Sequence, residues 1–243
     1  VMPENILDFT TLPPLLDKAV VKLAWADAKR TFEMTRAVTT PTRKAAEYLQ
    51  RTIEISEVYP VSCGLNASNY TPDLTPRDAN RILFVGRLTR EKQIDLMLRA
   101  VTKLDPALAV TVDIVGGGDQ RKHLEHLADE LGLGGRVTFH GRVDEDELRR
   151  IYSRASVFAM PSVAELQSIA TMEAMASGLP VVAADAMALP HLVHDGENGY
   201  LFDPTSADDL AAKLTTVLTA DADERLRLQE ASLEGVKVHD INR

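Results

Sequence analysis

Two kinds of apolar pattern divide this chain. Over residues 15–36, Leu15, Leu16, Val20, Leu23, Ala24 and Ala28 recur at helical spacing, with Asp27 interrupting the stripe, which predicts an amphipathic helix. Lys18, Lys22 and Arg30 lie among the apolar positions, as on a helix resting on a membrane surface, but Asp17, Asp27 and Glu33 deny it the basic face that anionic lipid favours. The stripe is therefore expected to be buried. Residues 37–39 read as a short strand, Thr40, Pro41 and Thr42 start a helix ending near Arg51, and residues 57–60 are again extended. Such a piece cannot cover both faces of a parallel sheet. Residues 1–60, opening with a turn-rich polar stretch over 1–12, are expected to be the last edge of a domain that is mostly missing. Residues 61–80, with Gly64, Pro72, Pro76 and the asparagines 66, 69 and 80, have linker composition.

From Arg81 the pattern becomes regular. Near-continuous apolar runs at 82–86, 110–115, 137–140, 157–160, 181–184 and 200–202 alternate with helical patterns ending near 104 and 131, then at 144–154 and 169–177. Two further helices are expected at 207–218 and 223–236. Short apolar strands alternating with helices predict an α/β fold with a doubly wound parallel sheet over residues 81–243. Ligands of such sheets sit beyond the carboxyl ends of the strands.

Composition narrows the class. The chain has 243 residues, 45% hydrophobic and 26% charged, ordinary for a folded water-facing protein. A net charge of -9 argues against general nucleic-acid binding, whose footprint is basic, so phosphate contacts have to be local. One cysteine, Cys63, excludes an internal disulfide and a zinc site of several cysteines, and a reducing cytoplasm follows as the default. No apolar run approaches the length of a membrane span and no leader is visible. The first residue is not methionine, which suggests a fragment.

The stretch 161–180 carries the candidate chemistry. Ser168 is placed to cap a helix whose stripe is Ile169, Met172, Met175 and Ala176, and Gly178 with Pro180 stops it. Glu165 then falls in the loop and Glu173 on the helix. Eight helical steps would separate them by roughly 12 Å, about the scale of a diphosphate with a sugar at each end, and carboxylates accept strong hydrogen bonds from hydroxyls. By spacing alone the two acids read first as solvated side chains.

Resemblance changes that reading. Pro161-Ser162, Glu165, Glu173-Ala174-Met175 and Gly178-Leu179-Pro180-Val181-Val182 resemble the signature of retaining glycosyltransferases of the GT-B fold (group 1, family 4 type), which use UDP- or GDP-linked hexoses. The resemblance covers about residues 37–236. It implies that Glu165 contacts the donor sugar and Glu173 the ribose. Gly86-Arg87-Leu88 followed by Lys92 resembles the family's diphosphate clamp, so Arg87, Lys92 and Glu165 are the implied catalytic groups. Gly86, Gly116 and Gly118 would line the nucleotide cleft, Arg142 and Val143 the nucleobase loop, and Leu166, Gln167, Ser168 and Ile169 the donor. The three glycines 116–118 do not match a dinucleotide fingerprint; read without the resemblance they are a tight turn.

Three departures from the family pattern stand out. Gln93 replaces a frequent glycine after Lys92, Leu166-Gln167-Ser168 replaces Gly-Phe-Gly, and Met187-Ala188-Leu189-Pro190-His191 replaces a glycine pair and later glutamate. The Glu-Leu-Gln-Ser form resembles a branch acting on lipid acceptors. His123 with His126, and His191 with His194, fall at i, i+3 on expected helices without a completing ligand set, so no metal and no cofactor is expected.

The implied whole is a nucleotide-sugar-binding Rossmann-like domain (81–243) behind a linker (61–80) and the edge of an acceptor-side N-terminal domain (1–60). It implies a hexosyltransferase, inactive as this fragment, whose partners are a nucleotide-sugar donor and an unknown acceptor, with no nucleic acid. The expected location is cytoplasmic, with peripheral association at the inner membrane face through the missing domain left open. A non-catalytic nucleotide-binding scaffold and a sugar-nucleotide epimerase of the same fold remain as alternatives.

Overall fold

The computed structural model describes residues 14–55, 57–75 and 80–242; the expectations for residues 1–12 and for Pro76 lie outside them. The chain separates into two compact units, one ending at Cys63 and one beginning at Gly64.

The first unit holds α1 (Pro14–Glu33), β1 (Val38–Thr40), α2 (Arg43–Ile53) and β2 (Val58–Pro60). β1 and β2 pair in parallel, Val38 opposite Val58. Thr42 caps α2 by accepting from the Ala45 N–H at 3.3 Å, and Trp25 meets Tyr48 edge to face at 6.0 Å. Of the α1 stripe expected to be buried, Val20 and Leu23 are 41% and 69% exposed. Within this unit α1 packs on α2, so a seam through Trp25 is covered and these two positions are not.

The second unit is the doubly wound sheet that the apolar runs predict. Its strands are β3 (Arg81–Val85), β4 (Thr111–Val115), β5 (Val137–Gly141), β6 (Val157–Met160), β7 (Val181–Ala184) and β8 (Gly199–Phe202), with α3 (Ile94–Val101), α4 (Arg121–Glu130), α5 (Glu145–Arg154), α6 (Ile169–Ala176), α7 (Ala207–Leu218) and α8 (Ala222–Val236) around them. All pairings are parallel, in the order β5-β4-β3-β6-β7-β8. Every residue of β6 and β7 is buried, because helices cover both faces: α3 packs against α4 and α7, and α6 against α8. Burying each large aliphatic or aromatic side chain contributes about 1.5–3 kcal/mol. Asp144, Ser206 and Asp221 cap α5, α7 and α8, accepting from N–H groups at 2.8, 3.1 and 2.9 Å, each worth about 1 kcal/mol.

The segment expected as linker is in part packed structure. Leu65 is 7% exposed within the core, its N–H donates to the His239 carbonyl at 2.9 Å and its carbonyl accepts from the Ile241 N–H at 2.9 Å. Tyr70 packs on the same core. Glycine, asparagine and proline dominate the local composition, but the two apolar side chains between them decide where the segment lies.

On β5 the register slips between Phe139 and Gly141, which pair with Ile114 and Val115. His140 is the extra residue, a bulge, and its Nε2 lies 2.7 Å from Asp113 Oδ1. The second Asp113 oxygen accepts from Arg81 at 3.1 Å. A carboxylate buried in the middle of a sheet needs such partners.

The helix expected to follow β3 as far as residue 104 is broken. A short 3-10 turn (Arg90–Lys92) comes first, and α3 starts at Ile94. Gln93 between them has φ 45°, a left-handed conformation that favours glycine. The Pro204 and Pro161 carbonyls face its side-chain amide at 3.0 and 3.2 Å, which assigns the nitrogen to that side, where it donates to both and ties the exits of β6 and β8 to the start of α3.

Two opposing effects therefore meet at Gln93. Gln93→Ala loses both bonds and keeps the backbone cost, and is expected to destabilise by about 1–3 kcal/mol. Gln93→Gly loses the same bonds but relieves the backbone, and is expected to be about 1 kcal/mol more stable than the alanine variant. Urea unfolding of the three proteins checks this; equal losses would show that the backbone carries no cost there.

Candidate functional site

The strand order reverses between β3 and β6, which lie side by side with Ile82 opposite Val157. Connections leaving these two strands diverge, and a crevice opens beyond their carboxyl ends. Both predicted motifs leave from there: Gly86-Arg87-Leu88 from β3, and residues 161–168 from β6.

The glycines serve close approach of one loop to another. A Cβ on Gly116 would stand 1.9 Å from the Gly86 carbonyl oxygen, and one on Gly118 would stand 2.2 Å from that of Leu88. Bare backbone lets the loops zip together: Gly86 N–H donates to Val115 O, Leu88 N–H to Gly117 O and Gln120 N–H to Leu88 O, all at 3.0 Å. Gly116 also donates to Gly141 O at 2.7 Å, which joins the β5 exit to this rim. Arg142 is exposed and Val143 half-buried against the core, with the Arg142 side chain running past Gly117.

The two predicted cations behave differently. Lys92 turns inward and forms an ion pair with Glu165, their side chains 12% and 10% exposed. Arg87 stands outward, its side chain 75% exposed and its Nη2 3.7 Å from Glu91 Oε1. Glu91 also accepts from the Thr89 hydroxyl at 2.6 Å, and its carbonyl accepts from the Val163 N–H at 3.0 Å. Arg87, Lys92 and Glu165 are thus brought to one rim. The loop after β7 braces them: Ala188 N–H donates to the Glu165 carbonyl at 3.1 Å, with Met187 beside it at φ 51°, the left-handed region that explains a glycine preference at this turn.

Around Glu165 some expectations change. The helix begins at Ile169, so the path from Glu165 to Glu173 is part loop and the spacing of eight helical steps does not apply. Ser168 occupies the N-cap position, but its hydroxyl accepts from Thr171 Oγ1 at 2.8 Å instead of capping a backbone N–H. Ile169, expected in the buried stripe, is 46% exposed, as is Leu166 at 45%; Met172 and Met175 are buried. Ile169 faces outward at the start of α6, while Thr171 and Met172 in the same turn are buried. Gln167 directs its amide to Met172 Sδ at 3.6 Å.

Glu173 holds partners that the motif gives no hint of. Tyr70 Oη donates to its Oε1 at 2.6 Å and Tyr152 Oη to its Oε2 at 2.9 Å. The single Tyr152 hydroxyl proton is shared with the Ala170 carbonyl, 3.1 Å from the same Oη. The two rings meet edge to face, 6.1 Å between centroids. Burial first, and then the Glu173 carboxylate, push the Tyr70 hydroxyl well above its ordinary range; the same causes act on fully buried Tyr152. The available signal was Tyr152 inside the apolar pattern of α5, since a buried phenol has to find an acceptor. Tyr70 carried none, standing in a stretch of linker composition.

A pocket of about 540 Å³ lies beside the rim, lined by Arg90, Gln93, Asp95, Gln120 and His123 among others, and no predicted catalytic residue lines it. His126 meets Glu130 at 3.2 Å and His194 meets Glu197 at 3.5 Å. His191 lies in a 3-10 turn (Leu189–His191) and His194 in the loop after it, correcting the helical placement. Among the described residues no three His, Cys, Asp or Glu side chains form a metal-binding group, and no helix is long and apolar enough to cross a membrane.

Comparison with known proteins identifies the family and the fold. Residues 71–234 match the family described as glycosyl transferases group 1. Over 164 residues the chain is 38% identical to D-inositol 3-phosphate glycosyltransferase of Mycolicibacterium smegmatis, covering 65% of this chain and 36% of that protein. Over 162 residues it is 34% identical to sulfoquinovosyl transferase of Arabidopsis thaliana, covering 65% and 30%. The chain thus matches about a third of these relatives' length. Sucrose-phosphate synthase from Thermosynechococcus elongatus superposes with a TM-score of 0.81 at 29% identity, over 90% of this chain and 57% of that one. HepE of Anabaena, crystallised with UDP and glucose, shares the fold with a TM-score of 0.80 at 21% identity, over 93% and 64%. These neighbours are GT-B glycosyltransferases.

The phenols generate a pH prediction. Tyr70 and Tyr152 have folded pKa values above the ordinary 10.0, so above that pH the unfolded chain releases protons that the folded one keeps, and stability falls as pH rises. Below it their contribution is complete. Unfolding free energies at about pH 9 and about pH 11 are expected to differ less in Tyr70→Phe than in the parent; an equal drop in both would show that Tyr70 does not titrate abnormally.

Proposed function

This chain belongs to the glycosyl transferases of group 1, and on that premise we propose that it is the donor-binding part of a retaining hexosyltransferase using a UDP- or GDP-sugar. The observation that carries the reading is the gathering of Arg87, Lys92 and Glu165 on one rim of the crevice at the switch point. The uncapped start of α6 adds to it, because helix N-terminal amides favour anions.

In this reading Arg87 and Lys92 face the diphosphate. As the bond from the sugar's anomeric carbon to the phosphate oxygen breaks, negative charge grows on the leaving group, and fixed cations stabilise it more than the ground state. Lys92 pairs with Glu165, so the donor phosphate would share the ammonium with the carboxylate that orients the hexose. Glu173 would hold the ribose, and the backbone of 166–169 would approach the sugar, with Leu166 and Gln167 narrowing the space that glycines leave in relatives. Gly86, Gly116, Gly118, Arg142 and Val143 would shape the nucleotide side. The acceptor, and the groups that complete transfer, belong to the part of the family's length that this chain does not match, so the chain alone is expected to bind donor and to transfer no sugar.

Calorimetric titration with UDP, UDP-glucose, GDP and GDP-mannose tests the reading, UDP first because HepE was crystallised with it. The informative variant is Arg87→Ala: its side chain is largely exposed, so affinity is expected to fall about tenfold or more with an unchanged melting temperature. Lys92→Ala is expected to lose affinity and also about 3 kcal/mol of stability, because it strands the buried Glu165 carboxylate. No heat with any of the four ligands would sink the proposal.

A further inference from the structure

Glu173 presents an acceptor that is already half occupied. A carboxylate has about four lone-pair directions, two on each oxygen. Tyr70 fills one on Oε1 and Tyr152 one on Oε2, leaving one on each. Both donors are anchored: Tyr152 is fully buried, packs against Phe158 of β6 at 6.1 Å and is tied to the Ala170 carbonyl, and Tyr70 stands edge-on to Tyr152. Glu173 itself is half-buried, not enclosed. A flexible glutamate on a helix would otherwise lose side-chain freedom on binding; here that loss is taken on folding.

We propose that Tyr70 and Tyr152 are positioning residues that hold the Glu173 carboxylate with one acceptor direction open on each oxygen, matched to the two hydroxyl donors of a ribose cis-diol. The inference rests on the donor-binding reading above and deepens it. It assigns specificity for a ribonucleotide over a deoxyribonucleotide to three side chains, one of which lies ahead of the first strand of the sheet. Tyr70 does this from a segment whose backbone is pinned by Leu65 to the Lys237–His239 turn, through the His239 carbonyl. The orientation of Glu173 thus depends on contacts made by both ends of the second unit.

The test compares UDP with 2′-deoxy-UDP, and GDP with 2′-deoxy-GDP, by calorimetry on the full chain and on Tyr70→Phe, Tyr152→Phe and Glu173→Gln, with melting temperatures recorded. The parent is expected to prefer the ribonucleotide by about tenfold, the scale of one hydrogen bond to a charged acceptor. In each variant the preference is expected to shrink to about threefold or less, chiefly through weaker ribonucleotide binding. Tyr70→Phe keeps its ring against Tyr152, so it is the variant expected to melt like the parent. A purely structural role would lower the melting temperature and both affinities together and leave the ratio intact, which overturns the inference. So does a preference that survives in the tyrosine variants but vanishes in Glu173→Gln, or a parent that binds both nucleotides equally. A parent that binds no nucleotide of either base fails the donor-binding reading itself, and the inference with it.

Discussion

A parallel sheet wound outward in two directions cannot close over its own starting point. β3, β4 and β5 run to one side and β6, β7 and β8 to the other, so the loops leaving β3 and β6 part company although the strands touch. The crevice between them is a consequence of connectivity and handedness. What occupies its rim is then decided by two loops, and here a lysine from one meets a glutamate from the other. The contacts that hold the β3 and β6 loops can be followed from that pair.

Holding two charges at 12% and 10% exposure costs desolvation, which is offset only if each side is held in register. Several contacts do this. Gln93, left-handed and bonded to the Pro161 and Pro204 carbonyls, sets the direction in which Lys92 leaves the turn. The Glu91 carbonyl, bonded to Val163, and the Glu165 carbonyl, bonded to Ala188, hold the opposing loop. The glycines at 116 and 118 admit the carbonyls of Gly86 and Leu88 and keep the β3 loop from lifting. Substituting any one of these would be read at the ion pair as a change in geometry before it was read as a change in charge.

Glu173 is held by a separate set of contacts. Its bonds run to Tyr70 and Tyr152, neither of which touches the Lys92–Glu165 pair through any described hydrogen bond. The motif that places two acids eight residues apart therefore serves two environments: one acid is neutralised by a buried ammonium, and the other is fixed by phenols that burial keeps protonated. In the proposed reading that separation would let the sugar end and the nucleoside end of a donor be adjusted independently.

The strands were legible because a sheet covered on both faces demands unbroken apolar runs, and runs such as Ile82-Leu83-Phe84 or Val181-Val182-Ala183-Ala184 admit little else. The helices over 144–154, 207–218 and 223–236 were legible too, whereas the caps that hold them, Asp144, Ser206 and Asp221, were seen only in the structure. Arg87, Lys92, Glu165 and Glu173 could be nominated only because their motifs resemble the family's, since by spacing and composition alone they read first as solvated side chains. Tertiary structure decided the rest. Ile169 faced outward, and Val20 and Leu23 of α1 stayed exposed, each because the neighbour that would receive it is set by packing between segments. The Tyr70–Glu173 bond joins residues 103 positions apart, and no periodicity reports a contact at that separation. Sequence by itself determined which segments must be buried and which ends of them carry charge; only the folded chain determined which charge meets which, since that depends on distances between segments the backbone does not connect locally.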